Sequence, residues 1–143
     1  MKKSKRLAER IRRVRVLFRE LGYKIVDSEK KGPLYSASFE NEEGFQAEVH
    51  LDEQCRFIEL SFTFLFSVEM ADFLKHRLEQ MLKICYDYGC YINLEDADKE
   101  IGFSVFDKLY YAGLNYYSLR QSLKDFSECV DTLTGVLEIT KEE

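Results

Sequence analysis

The side chains best suited to nucleophilic, acid–base or metal chemistry in this chain are two histidines and four cysteines. Neither set falls into a working pattern. His50 shares the polar side of an expected strand with Gln46, Glu48 and Asp52, and His76 sits near Asp72 and Gln80 on the polar side of an expected helix. Both read as surface residues. Covalent or acid–base catalysis needs a nucleophile or proton carrier held in a tuned setting, and the chain has no GxSxG, HExxH, Walker or GxGxxG motif to supply one. Cys55, Cys85, Cys90 and Cys129 form no CxxC pair and no zinc-ribbon spacing. Each lies in an apolar or amphipathic stretch, so they are expected to be small buried hydrophobes in a reducing compartment. Asp96-Ala97-Asp98-Lys99-Glu100 places oxygen ligands at alternate positions, as a calcium loop begins. The glycine required at the sixth position is Ile101, however, and the twelfth position is Asp107 instead of Glu, so a polar hairpin turn is expected. The expectation is a protein with no catalytic residue, no metal and no cofactor.

Binding chemistry is better represented. Residues 1–20 carry nine Lys/Arg and two Glu, a net +7, and the remainder carries −12. Arg6, Arg10 and Arg13 share one helical stripe, and Lys5, Arg12 and Arg19 share another. Such a helix could neutralise several phosphates, which makes Arg6, Arg10 and Arg13 candidate nucleic-acid-binding residues. The acidic body and the absence of an RNP-type aromatic pattern weigh against that use. Phe57, Leu65 and Phe106 alternate out of phase with the expected core, and Tyr110 and Tyr111 lie beside them in the chain. Apolar and tyrosine side chains left outside a core suit a protein interface. These five are the candidate protein-binding residues, for a protein or extended peptide that could also add to a sheet edge.

The elements that must position these residues follow from a change of period. Leu7, Ile11, Val14, Phe18 and Leu21 form one apolar seam, which predicts a helix from about Ser4 to Leu21 stopped by Gly22. Tyr23, Ile25 and Val26 allow a short strand or lead-in, and Asp27 to Pro33 reads as a loop. Alternation then predicts strands over about Leu34–Glu40, Phe45–Leu51 and Phe57–Phe66, with turns at Asn41-Glu42-Glu43-Gly44 and Asp52-Glu53-Gln54. From Ser67, a candidate N-cap, helical spacing holds to Gly89. Strands over about Cys90–Glu95 and Ile101–Leu109 follow, then a helix over about Tyr116–Leu137, started at Asn115 or by the capping box Ser118-x-x-Gln121. The final six residues are expected to fray.

The fold class is α+β: a two-layer domain of order α-β-β-β-α-β-β-α, its antiparallel sheet covered on one face by helices. At 143 residues with a single proline, one domain over 1–143 is expected. No apolar core follows the basic start, so no secretory signal is expected. The longest uncharged stretch, Leu109 to Leu119, has 11 residues, against the roughly 20 of a membrane helix. A cytoplasmic protein without a membrane partner is expected. The first seam is too short to specify a coiled coil.

Leu17-Phe18-Arg19-Glu20-Leu21-Gly22-Tyr23, the meander through Phe45 to Phe66, the helix from Ser67, and Ser118-Leu119-Arg120-Gln121-Ser122-Leu123 through Leu133 together resemble the YbjN family of bacterial proteins and, more broadly, the type III secretion chaperone-like fold. The resemblance covers nearly the whole chain. It implies a small cytoplasmic α+β protein, often a homodimer, without a known active site. The secretion chaperones bind extended segments of effectors, and YbjN-type proteins are connected with stress responses and regulation. The basic first helix departs from the usual acidic chaperone surface. The functional expectation is a non-enzymatic protein-binding module, chaperone-like or regulatory, with a nucleic-acid-associated regulator as the alternative.

Overall fold

A computed structural model describes residues 2–138 of the chain. The elements run α1 (Lys2–Glu20), β1 (Lys24–Lys31), β2 (Leu34–Glu40), β3 (Gln46–Asp52), β4 (Phe57–Ser67), α2 (Ala71–Asp87), β5 (Tyr91–Asp96), β6 (Glu100–Tyr110) and α3 (Tyr116–Glu138). Short 3-10 turns precede α2 and α3. The six strands form one antiparallel sheet in the order β1-β2-β3-β4-β6-β5, so the expected α+β class holds. The expected fraying of the last six residues lies outside the described residues, apart from Glu138, where α3 ends.

One strand is added to the expected order. Lys24–Lys31, read from sequence as a lead-in and a loop, pairs with β2 along its length. Two local features hide it. Asp27 adopts φ 49°, and the register shifts between Val26 and Glu29. A bulge of this kind inserts a residue and breaks the alternation by which a strand is recognised. Gly32-Pro33, expected as loop punctuation, is a two-residue hairpin connection flanked by the Lys31–Leu34 pair. Gly32 at φ 61° followed by proline's fixed negative φ matches the first central position of a type II′ turn.

Helix ends are set locally. Gly22 takes φ 89°, the Tyr23 amide donates to the Phe18 carbonyl at 2.9 Å, and the Gly22 amide donates to Arg19 at 3.0 Å. This is a Schellman closure, and its usual apolar contact is present as the Phe18–Tyr23 edge-to-face pair. Gly89 ends α2 in the same way at φ 74°, with Cys90 donating to Cys85 at 2.8 Å and Gly89 to Tyr86 at 3.1 Å. Ser67 is not the cap of α2: it precedes a 3-10 turn over Val68–Met70 and makes no side-chain capping bond. The α3 start left open by the sequence is at Asn115. Asn115 Oδ1 accepts from the Ser118 amide and Ser118 Oγ accepts from the Asn115 amide, both at 2.9 Å, a reciprocal capping box.

The described chain forms two compact units. The first runs up to Ser61 and includes Lys108–Leu123; the second comprises Phe62–Asp107 and the residues from Lys124 onward. In the first unit, α1 buries Leu7, Val14 and Phe18 with Phe39, Val49, Leu51, Ile58, Leu60 and Leu119. Full burial stabilises each such side chain by roughly 1.5–3 kcal/mol. Phe18 and Phe39 meet edge to face at 4.9 Å. In the second unit Met81 and Cys85 of α2 are buried with Phe103 and Val105 of β6 and Phe126, Cys129 and Leu133 of α3. The two units differ in charge. Among the described residues the first carries fifteen Lys/Arg against eleven Asp/Glu, and the second five against thirteen.

Candidate functional site

The reactive side chains are engaged in structural contacts. His50 Nε2 lies 2.9 Å from Ser61 Oγ, and Glu48 Oε1 lies 3.9 Å from the same nitrogen. A serine–histidine–carboxylate relay needs the carboxylate on the other ring nitrogen. Ser61 is also 3% exposed, which leaves no approach for a substrate. His76 Nδ1 donates to the Asp72 carbonyl one turn back at 2.7 Å. Cys85, Cys90 and Cys129 are buried and Cys55 is half-buried, all as free thiols. The Schellman closure of α2 explains part of this grouping, because it brings Cys90 back over Cys85. Hydrogen bonding with Cys129 and burial push the Cys85 thiol up; Cys129 is lowered most by Cys85, yet Cys90 and burial together push it up to about 12. Thiols held protonated in this way are poor nucleophiles and poor ligands. Among the described residues no group of three or more His, Cys, Asp or Glu is arranged to hold a metal.

The three arginines proposed for phosphate contact have different surroundings. Arg6 is exposed. Arg10 Nη1 donates to the carbonyls of Glu53 and Cys55 at 3.1 and 3.0 Å, and its guanidinium stacks 4.1 Å over the Tyr111 ring. Arg13 donates to the carbonyl of Leu114. These two side chains tie α1 to the β3–β4 turn and to the segment before α3. Tyr111, expected at a binding surface, is half-buried beneath Arg10. Burial pushes its phenol up to about 12 despite the lowering pull of Arg10, and its hydroxyl has no hydrogen-bond partner among the described residues.

The other four expected protein-binding residues lie on the sheet face away from the core, as their strand parity predicts. In the first unit Phe57 meets Tyr110 edge to face at 5.6 Å, and Lys108 Nζ sits 4.7 Å over the Phe57 ring. Tyr110 is 58% exposed. In the second unit Leu65 is 67% exposed, and Phe106 stacks on Tyr91 at 5.2 Å. Polar groups interrupt this face, among them the Thr63–Ser104 hydroxyl pair at 2.8 Å.

A stronger site is one the sequence did not single out. In the second unit, Leu74, Leu78 and Met81 of α2 with Leu94 of β5 and Ile101 and Phe103 of β6 line an apolar cleft of about 270 Å³. Ala71, Lys75, Asp96 and the strand at Glu95 complete its lining, the Glu95 Cβ lying on the opposite sheet face near Leu65. The cleft opens beside β5, the last strand of the sheet. Ala97 and Glu100 exchange both backbone bonds across the β5–β6 turn, at 2.9 and 3.3 Å. Hydrogen-bonded pairs recur at every second residue of an antiparallel ladder. With the observed register, Glu95–Gly102, Asn93–Ser104 and Tyr91–Phe106 are therefore the bonded pairs. The amides and carbonyls of Ile92, Leu94 and Asp96 point away from β6, to an edge that pairs with no other strand among the described residues. By alternation their side chains take the same sheet face as the cleft; Leu94 and Asp96 line it, and Leu94 remains 47% exposed. The opposite edge differs: β1 is interrupted by its bulge and carries Lys24, Asp27, Glu29, Lys30 and Lys31, devices that discourage strand addition.

No family model and no curated protein sequence matches the chain. Solved structures do. An uncharacterised protein from Methanothermobacter thermautotrophicus superposes with a TM-score of 0.62 at 12% identity, covering 89% of this chain and 96% of that one. YbjN from E. coli, described as a candidate transcription regulator, superposes with a TM-score of 0.55 at 17% identity, covering 92% of each chain. The chain has a YbjN-like fold, and at these identities the likeness concerns the fold alone.

Proposed function

We propose that the protein is a binding module for extended protein segments, which add as a strand to β5 and seat alternate apolar side chains in the adjoining cleft. It acts without catalysis, in a chaperone-like or regulatory role. The observation that carries this reading is the coincidence, at Leu94, of outward backbone groups with a side chain that lines an apolar cleft. Main-chain bonds supply affinity and the cleft supplies selectivity. The likeness to YbjN supports a regulatory setting, and four free thiols suit a reducing, cytoplasmic one.

The test uses a pool of eight-residue peptides of alternating apolar and polar residues, with binding followed by fluorescence anisotropy. Leu94→Ala and Leu94→Pro both remove the leucine side chain, but only proline removes the outward donor, and it leaves the β6 ladder intact. Saturable binding that is at least about fivefold weaker in Leu94→Pro than in Leu94→Ala is expected from the loss of one backbone bond. Equal affinities for the two variants would contradict strand addition.

Association with nucleic acid is the second reading. It draws on Lys5, Arg6, Arg12, Arg15 and Arg19, all exposed on α1, and on the positive balance of the first unit. Retention of generic DNA or RNA that falls steeply with salt would support it. No retention at low salt would end it.

A further inference from the structure

The edge of β5 also constrains what it can accept, and we infer that its ligand is an antiparallel segment of the pattern basic–x–apolar–x–apolar, read from its N-terminus. The inference rests on the strand-addition reading above. A new antiparallel strand must bond to the outward groups of Ile92, Leu94 and Asp96, since those of Tyr91, Asn93 and Glu95 are taken by β6. Residues directly opposite one another in an antiparallel ladder send their side chains to the same face of the sheet. The three ligand residues opposite Asp96, Leu94 and Ile92 therefore point to the cleft side, in that order along the ligand. The one opposite Leu94 meets apolar surface formed by Leu94, Leu74 and Leu78, and the one opposite Ile92 lies beside that apolar side chain. The residue opposite Asp96 meets a carboxylate.

The electrostatics at that end point the same way. Residues 95–100, the β5–β6 turn and its flanks, carry Glu95, Asp96, Asp98 and Glu100 against Lys99 alone. Lys75 is the cation on the cleft lining, and it forms no ion pair with Glu95 or Asp96. Over its described residues the second unit has thirteen acidic and five basic residues. A cationic side chain opposite Asp96 gains from this field, and an anionic one is repelled. The two intervening residues face Glu95 and Asn93 on the other side of the sheet, where polar side chains are favoured. An antiparallel arrangement is chosen because its bonds run straight across the edge, whereas a parallel strand pairs slightly less stably.

The experiment compares three labelled peptides on the full chain: Gly-Lys-Thr-Val-Ser-Val-Thr-Gly, the same peptide with Glu in place of Lys, and the first peptide in reversed order. The lysine peptide is expected to bind about fivefold more tightly than the glutamate peptide, as one exposed ion pair allows, and more tightly than the reversed one. Asp96→Lys, at an exposed position, is expected to invert the preference between the lysine and glutamate peptides. Equal binding of the lysine and glutamate peptides, or tighter binding of the reversed peptide, would overturn the inference while leaving strand addition standing. Absence of saturable binding by all three would overturn both.

Discussion

Arg10 shows how a single side chain can change purpose between sequence and structure. Its spacing with Arg6 and Arg13 predicts a phosphate-binding stripe, yet its guanidinium spans two carbonyls of the β3–β4 turn and covers Tyr111. Nothing in sequence spacing announces this, because the carbonyls it meets lie more than forty residues away. Both bonds leave one nitrogen, Nη1, while the planar guanidinium lies over the Tyr111 ring; a lysine ammonium can donate to the carbonyls but has no planar group to stack. Arg10→Lys is expected to lower stability by about 1–2 kcal/mol, read by urea unfolding at neutral pH; a loss below about 0.3 kcal/mol would contradict the role. Tyr111 adds a pH signature. Its phenol is pushed from the ordinary 10 up to about 12 in the folded chain. The folded state therefore holds a proton that the unfolded state releases, so its contribution is complete below pH 10 and lost as pH rises toward 12. Tyr111→Phe is expected to lose less stability than the parent between those values. At pH 7 the variant should be neutral or slightly stabilised, because the buried hydroxyl it removes has no partner among the described residues.

At the scale of elements, legibility followed period. The α1 seam of Leu7, Val14 and Phe18 is buried as its spacing predicts, and β2 runs over Leu34–Glu40 as its alternation predicts. Strand β1 was illegible because a bulge and the positive φ of Asp27 break its alternation. The edge character of β5 was illegible for another reason: β6 inserts between β4 and β5, and no local pattern reports that order. Helix termination was legible in Gly22 and Gly89, and it can be tested. Their φ values of 89° and 74° lie in the left-handed region, where a Cβ costs roughly 1–2 kcal/mol. Gly22→Ala and Gly89→Ala should each destabilise by about that amount in denaturant titrations. Open space surrounds both positions, so the cost is conformational. Unchanged midpoints would mean that the Schellman closures do not limit the helices.

Over the whole molecule, the basic arm on an acidic body read from the sequence becomes a division between two units, one with a basic excess and one strongly acidic. The thiols divide as well: three are buried in the second unit, and half-buried Cys55 belongs to the first. One thiol should therefore react promptly with a small aromatic disulfide in the native protein and four in denaturant; prompt reaction of all four in the native state would contradict the buried cluster. The central claim is that the free edge of β5 receives a strand. The most direct measurement is residue-resolved amide hydrogen exchange with and without the lysine peptide. The amides of Tyr91, Asn93 and Glu95 are already bonded to β6 and should change little, whereas those of Ile92 and Leu94 should become protected when the peptide is added. Saturating peptide that leaves Ile92 and Leu94 exchanging at their free rate would contradict the account.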